Sequence, residues 1–122
     1  MNYSEKLKNC RKEYPFECWL ESYQKGIGYY SEEHCARVES IFDGLIQSLI
    51  NLKEDAEESH KVELFESAVL RLNIMNKTNP HLIETSEREE FCELLDTIAL
   101  AAGLKPENYA GGEGIATEWR EW

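Results

Sequence analysis

Apolar residues recur at helical spacing along most of the chain. The clearest run is Cys35, Val38, Ile41/Phe42, Leu45, Leu49 and Leu52, widened by Ile46 and Ile50. Steps of three and four place such residues on one face of a helix. Ser31 stands before the run as an N-cap, followed by Glu32 and Glu33 where the helix dipole favours acids. Gly44 interrupts the run at a cost of about 1 kcal/mol relative to Ala, which predicts a close helix crossing at that point. Lys53-Glu54 form a break. The next run is Val62, Phe65, Val69 and Leu72, with Ala68 and Met75 beside it. It predicts a second helix to about Met75, with Asp55 and Glu58 at the spacing of a capping box.

Asn76-Lys77-Thr78-Asn79-Pro80 stops that helix. A third run, Phe91, Leu94/Leu95, Ile98 and Ala102, predicts another, capped by Thr85 or Ser86 and ended by Gly103. Leu104 is expected to fold back onto its end, and Pro106 prevents continuation. Two shorter helices are read before Ser31. One, within residues 1–14, turns Leu7, Cys10 and Tyr14 or Tyr3 inward. The other starts at Pro15 and carries Phe16, Trp19, Leu20 and Tyr23, ending at Gly26 and Gly28. Ile27 to Tyr30 is the only candidate for extended structure. Residues 107–114 read as a Gly-rich loop with Tyr109, and residues 115–122 as a last turn capped by Thr117. The sum is all-α: a single-domain helical bundle of about four to five helices over residues 1–122, with a short C-terminal helical turn.

Charge changes the picture more than composition does. Thirteen Lys and Arg face twenty-four Asp and Glu, a net charge of −11 over 122 residues. That excess argues against direct nucleic-acid binding and against anionic membrane surfaces. It favours a cation or a basic macromolecule as partner. The half 1–61 holds eight basic and twelve acidic residues, and the half 62–122 holds five and twelve. The negative excess is therefore weighted to the second half. The one basic cluster is Lys6, Lys8, Arg11 and Lys12.

The N-terminal segment Met1-Asn2-Tyr3-Ser4-Glu5-Lys6 has no signal-peptide pattern, and no apolar stretch is long enough to cross a membrane. The expected location is cytoplasmic, with the four cysteines Cys10, Cys18, Cys35 and Cys92 reduced. No Cys-x-x-Cys pair is present, and Cys35 and Cys92 fall on apolar stripes as small core residues.

Candidate chemistry is sparse. His34 and His60 lie near the starts of successive helices, which an antiparallel pair places at opposite ends. A helix of about 20 residues spans roughly 30 Å, so one metal cannot use both. His81 is a loop residue. Glu57 and His60 match the Glu-x-x-His spacing of di-iron bundles once, whereas such a site needs it twice. Gly111-Gly112-Glu113-Gly114 lacks the Lys-Ser/Thr ending of a phosphate loop and reads as a flexible turn. No nucleophile and base are placed together. The expectation is a binding protein, not an enzyme, with no metal and no cofactor.

Three acidic groups remain as a candidate partner-binding surface. They are Glu54, Asp55, Glu57 and Glu58; Glu84, Glu87, Glu89, Glu90, Glu93 and Asp96; and Glu113, Glu118 and Glu121. Helix starts attract acids for the dipole alone, but self-repulsion at −11 costs stability and fits a basic partner. Trp119 and Trp122, three apart and on one helical face, either clamp the C-terminal segment onto the bundle or serve with Tyr109 as interface anchors.

The stretch from His81-Leu82-Ile83-Glu84 through Phe91-Cys92 to Ala101-Ala102-Gly103-Leu104, with the ending Glu118-Trp119-Arg120-Glu121-Trp122, resembles the immunity proteins of bacterial polymorphic-toxin systems. Contact-dependent growth inhibition is the best-known case. The resemblance covers about the C-terminal third and carries over no functional residue by motif. It implies a cognate basic toxin, commonly a ribonuclease or deoxyribonuclease, whose active site the acidic chain blocks. Two other readings stand beside it: a small cytosolic regulatory or adaptor protein, homodimeric through its aromatic surface, and a metal-binding bundle using Glu57 and His60.

Overall fold

Periodicity and caps together define five helices, and the computed structural model describes all 122 residues. They are α1 (Tyr3–Asn9), α2 (Phe16–Gln24), α3 (Glu32–Leu52), α4 (Glu58–Thr78) and α5 (Thr85–Ala101). A 3₁₀ turn, Cys10–Glu13, extends α1, and three more (Pro106–Asn108, Ala110–Gly112, Ala116–Glu118) follow α5. The chain forms an all-α bundle. No strand is present, and Ile27 to Tyr30 is an irregular connection.

The long pair α3 and α4 is joined by residues 53–57, too short for anything but an antiparallel return. Glu33 and Arg37 of α3 accordingly lie beside Met75 and Thr78 of α4. The connection turns at Lys53, whose φ of 77° ends α3 in the left-handed region. Ser31 caps α3 as its sequence predicts, its hydroxyl accepting from the His34 N–H at 3.3 Å.

Cys35, Val38, Phe42, Leu45, Ile46 and Leu49 of α3 meet Phe65, Ala68, Val69, Leu72 and Met75 of α4 in one core. Phe91, Leu94, Leu95, Ile98 and Ala99 of α5 complete it. Its centre is aromatic: Phe42 stacks on Phe91 at 5.7 Å, and Trp19 meets Phe91 edge-on at 5.3 Å. The basic N-terminal segment is pulled onto α3 at Asp43, which accepts from Tyr14 Oη at 2.8 Å and Arg11 Nε at 3.1 Å. Burial, reinforced by this hydrogen bond, pushes the Tyr14 phenol well up from its ordinary range.

Five local expectations are corrected. Gly44 is exposed, and a Cβ there would meet nothing within 4 Å, so no helix of this chain crosses it. Asp55 forms no capping box, because α4 starts later, with Glu57 as N-cap. Helix α5 is capped by Glu84, not Thr85 or Ser86; the Glu84 N–H donates to Glu87 Oε1 at 3.0 Å. Glu87 at N3 closes the capping box with Glu84. Thr117 lies inside the last 3₁₀ turn, where its hydroxyl accepts from Arg120 Nε. Cys92 is only half-buried, whereas Cys10 joins Cys35 in the core. All four cysteines are free thiols.

Helix α5 ends in a Schellman motif. Gly103 adopts a φ of 87°, its N–H donates to Leu100 O, and Leu104 N–H donates to Ala99 O. The reversal lets Leu104 pack back into the core, as the sequence implies.

Candidate functional site

The three acidic groups differ once each carboxylate is followed to its partner. In the first, Glu54, Asp55 and Glu57 are exposed, and none enters the four ion pairs of the chain. Glu58 accepts from Tyr109 Oη at 2.6 Å, which ties the start of α4 to the segment after α5. Burial, then the Glu58 carboxylate, raises the Tyr109 phenol to about 12. Tyr109 is thus half-buried and already engaged.

The position of this turn is set by Lys61, a residue the apolar pattern does not mark. Its side chain is buried, with Nζ donating to Glu54 O at 2.7 Å and to Ala102 O at 2.8 Å, 5.2 Å from the Tyr3 ring centroid. A cation on the last carbonyl of α5 complements the negative end of the helix dipole. The Glu54–Glu58 turn therefore sits at the C-terminal end of α5.

The second group begins at the opposite end of the same helix. From Glu84 to Ala102 the chain rises about 27 Å. Glu84 and Glu87 are occupied with the helix start, and Glu84 also pairs with His81 at 3.3 Å. Asp96 is structural: it accepts from the Ile115 N–H at 3.1 Å and lies against Gly114, where a Cβ would fall 2.7 Å from Oδ2. Burial raises its carboxyl above the usual range, partly offset by the Ile115 hydrogen bond.

That leaves Glu89, Glu90 and Glu93. Glu90 and Glu93 line a recess of about 200 Å³ between α5 and the first 3₁₀ turn, together with Glu13, Pro15, Leu94 and Thr97. Glu90 Oε2 is buried without a hydrogen-bond partner. Three carboxylates in one small recess suit an ammonium or guanidinium group from outside the chain. Glu13 lies 77 residues before Glu90, so no sequence window joins them. No group of three or more His, Cys, Asp and Glu side chains is arranged to hold a metal ion. His60 and Glu57 are exposed at the start of α4.

The third group and the tryptophans belong mostly to a C-terminal strap. Asn73, buried in α4, donates from Nδ2 to Trp119 O at 3.0 Å and accepts from the Glu121 N–H at 3.0 Å. Glu121 also pairs with Lys77 at 3.4 Å, and Glu118 accepts from the Ala110 N–H. Trp122 meets Phe91 edge-on at 5.8 Å, with the Arg120 guanidinium over its own ring. Trp119 and Trp122 are both half-buried against the core. The Gly-rich loop before them is a built structure: Gly111, Gly112 and Gly114 take positive φ, and Ile115 is fully buried. Glu113 alone of this group is exposed with its carboxylate in neither a hydrogen bond nor an ion pair, since Glu118 holds the Ala110 N–H and Glu121 pairs with Lys77.

No protein-family model, curated protein or solved structure matches this chain.

Proposed function

We propose that this chain is an immunity protein, which binds a basic protein toxin and blocks its active or substrate-binding surface. The observation that carries the reading is the recess of Glu13, Glu90 and Glu93 on a chain of net −11. Its carboxylates take the place of the phosphates that a basic nuclease would hold. Exposed Glu89 and the Glu54–Glu57 turn contribute a wider negative field that speeds encounter. Glu90, with one carboxylate oxygen buried and without a partner, is the member of the recess best placed to accept from a cationic group. Such contacts slow release more than they speed capture. The resemblance of the C-terminal third to immunity proteins supports the same reading.

The test is capture from a native lysate, with the wild-type chain and the E89K/E90K/E93K variant as baits. These three are chosen because Glu84 and Glu87 hold the helix start, and reversing them would disturb the fold. A basic protein retained by wild type and lost from the variant is expected. Equal recovery on both baits, or no basic partner on either, overturns the reading. A secreted protein with a variable C-terminal domain encoded next to this chain would supply the toxin to test directly.

A further inference from the structure

Helices α2 and α5 end in the same motif with opposite outcomes. After α2, Gly26 takes a φ of 79° and its N–H donates to Tyr23 O at 2.9 Å, while the Ile27 N–H donates to Ser22 O at 2.9 Å. This is the Schellman pattern of Gly103 and Leu104, in which the apolar residue after the glycine packs on the helix it leaves. Leu104 does so. The positions open to Ile27 are Ser22 and Glu21, and Ile27 is 77% exposed. Tyr29 is 71% exposed and Tyr23 45%. Three large apolar side chains within seven residues thus face solvent, on a connection that is held at both ends. His34 Nδ1 donates to Tyr29 O at 3.1 Å, and Tyr30 is buried with its ring 4.5 Å from Trp19. A pre-ordered loop loses little freedom on binding, and tyrosine is among the commonest interface anchors.

Charge selects the occupant. From residue 15 to residue 36, Glu17, Glu21, Glu32 and Glu33 stand against Lys25 alone. Of these acids only Glu33 enters an ion pair, with Arg37. A second copy of the chain would set the same acids against themselves, and an anionic membrane surface would be repelled alike. A basic protein meets them with opposite charge. The loop also lies on the side of the acidic recess. Pro15 lines that recess with Glu90 and Glu93, Trp19 meets Phe91 edge-on, and burial followed by the Glu87 carboxylate raises the Tyr30 phenol. Helix α2 therefore leads from the recess toward the start of α5, a rise of about 13 Å. Loop and recess fit within one protein contact of ordinary size, roughly 30 Å across.

We propose that Tyr23, Ile27 and Tyr29 form the apolar anchor on which a basic protein partner seats, beside the cationic group taken by the Glu13–Glu90–Glu93 recess. This anchor presupposes the basic-protein reading above and supplies the part of the contact that charge does not. The partner surface then carries an apolar pocket flanked by Lys or Arg.

Titration calorimetry tests it, with the basic protein retained by the wild-type bait, identified and purified, as the probe. I27S and Y29S should each raise its dissociation constant at least about tenfold. L100S, at an exposed apolar residue near the far end of α5, should leave it unchanged. All three side chains are exposed, so the circular dichroism of the isolated variants should match wild type. A partner lost from E89K/E90K/E93K but indifferent to I27S and Y29S overturns the anchor and keeps the acidic reading. A partner lost from I27S and Y29S but indifferent to E89K/E90K/E93K overturns the recess and keeps the anchor. No basic partner on any bait overturns both. The wild-type chain should sediment at 14.2 kDa and stay off phosphatidylcholine vesicles. Self-association or vesicle binding that I27S abolishes overturns the proposal, by giving the loop to a second copy or to a membrane.

Discussion

Lys61 Nζ donates to the carbonyl oxygen of Ala102 at 2.8 Å, so a side chain of α4 closes the end of α5. The same ammonium holds Glu54 O, and no carboxylate shares it. K61M keeps the aliphatic stem but leaves both carbonyls without their donor. A loss of about 1–3 kcal/mol is expected, read as a lower urea midpoint at unchanged m-value.

Asn73 does the corresponding work at the other side of α4. N73L fills the same volume but releases Trp119 O and the Glu121 N–H. The C-terminal strap should loosen, with a red-shifted tryptophan emission and faster amide exchange from residue 117 onward. Global stability should fall by roughly 1–3 kcal/mol. Unchanged emission would show that the indoles hold the strap without Asn73.

Gly114 has a φ of 111° and lies against Asp96. G114A forces both a strained backbone and a displaced carboxylate. It should cost about 1–3 kcal/mol from the backbone conformation alone, measured by thermal melting. An equal melting temperature would mean that the loop can rebuild around a side chain.

Asp96 gives a pH signature of definite sign. Its folded pKa is raised above the unfolded value by burial. The folded chain therefore binds the proton more tightly, and this contribution to stability is lost as pH rises through the folded pKa. D96N keeps an acceptor for the Ile115 N–H without the buried charge. It should match or exceed wild type at neutral pH, with its advantage shrinking as pH falls through the carboxylate range. Urea titrations at several pH values read this directly; an advantage that grows toward low pH contradicts it.

Tyr109 behaves with the same sign at the alkaline end. Its phenol is raised to about 12, so the stability it contributes is lost as pH rises from its ordinary value toward 12. Y109F should cost about 1 kcal/mol at neutral pH through the lost Glu58 hydrogen bond. The difference from wild type should close as pH approaches that value.

The bundle was largely legible because its signals are local. The stripes around Val38, Phe65 and Phe91, the Ser31 cap and the Gly103 stop each depend on residues within one or two turns. What escaped was the wiring between helices. Lys61 and Asn73 read as polar interruptions, since their partners are backbone atoms 41 and 46 residues away. Gly44 suggested a crossing because a helical glycine often marks one, yet only tertiary structure reveals that this one faces open space. The acidic groups were visible as composition. Their division into Glu58, Glu84, Glu87, Asp96, Glu118 and Glu121, which serve the fold, and Glu54, Asp55, Glu57, Glu89, Glu90, Glu93 and Glu113, which remain available, was not. Glu13 joined the recess from a segment that the sequence marked as basic.

Helix α5 also acts as a ruler. Along it the available Glu89, Glu90 and Glu93 lie about 14–20 Å in rise from Ala102, beside which the Glu54–Glu57 turn sits. A protein contact of ordinary size covers about 800 Å² on each side, a disc roughly 30 Å across. A partner of that footprint spans both sets, whereas one much narrower than about 20 Å must choose. Reversing Glu54, Asp55 and Glu57 in one variant and Glu89, Glu90 and Glu93 in another therefore measures the width and the centring of whatever binds.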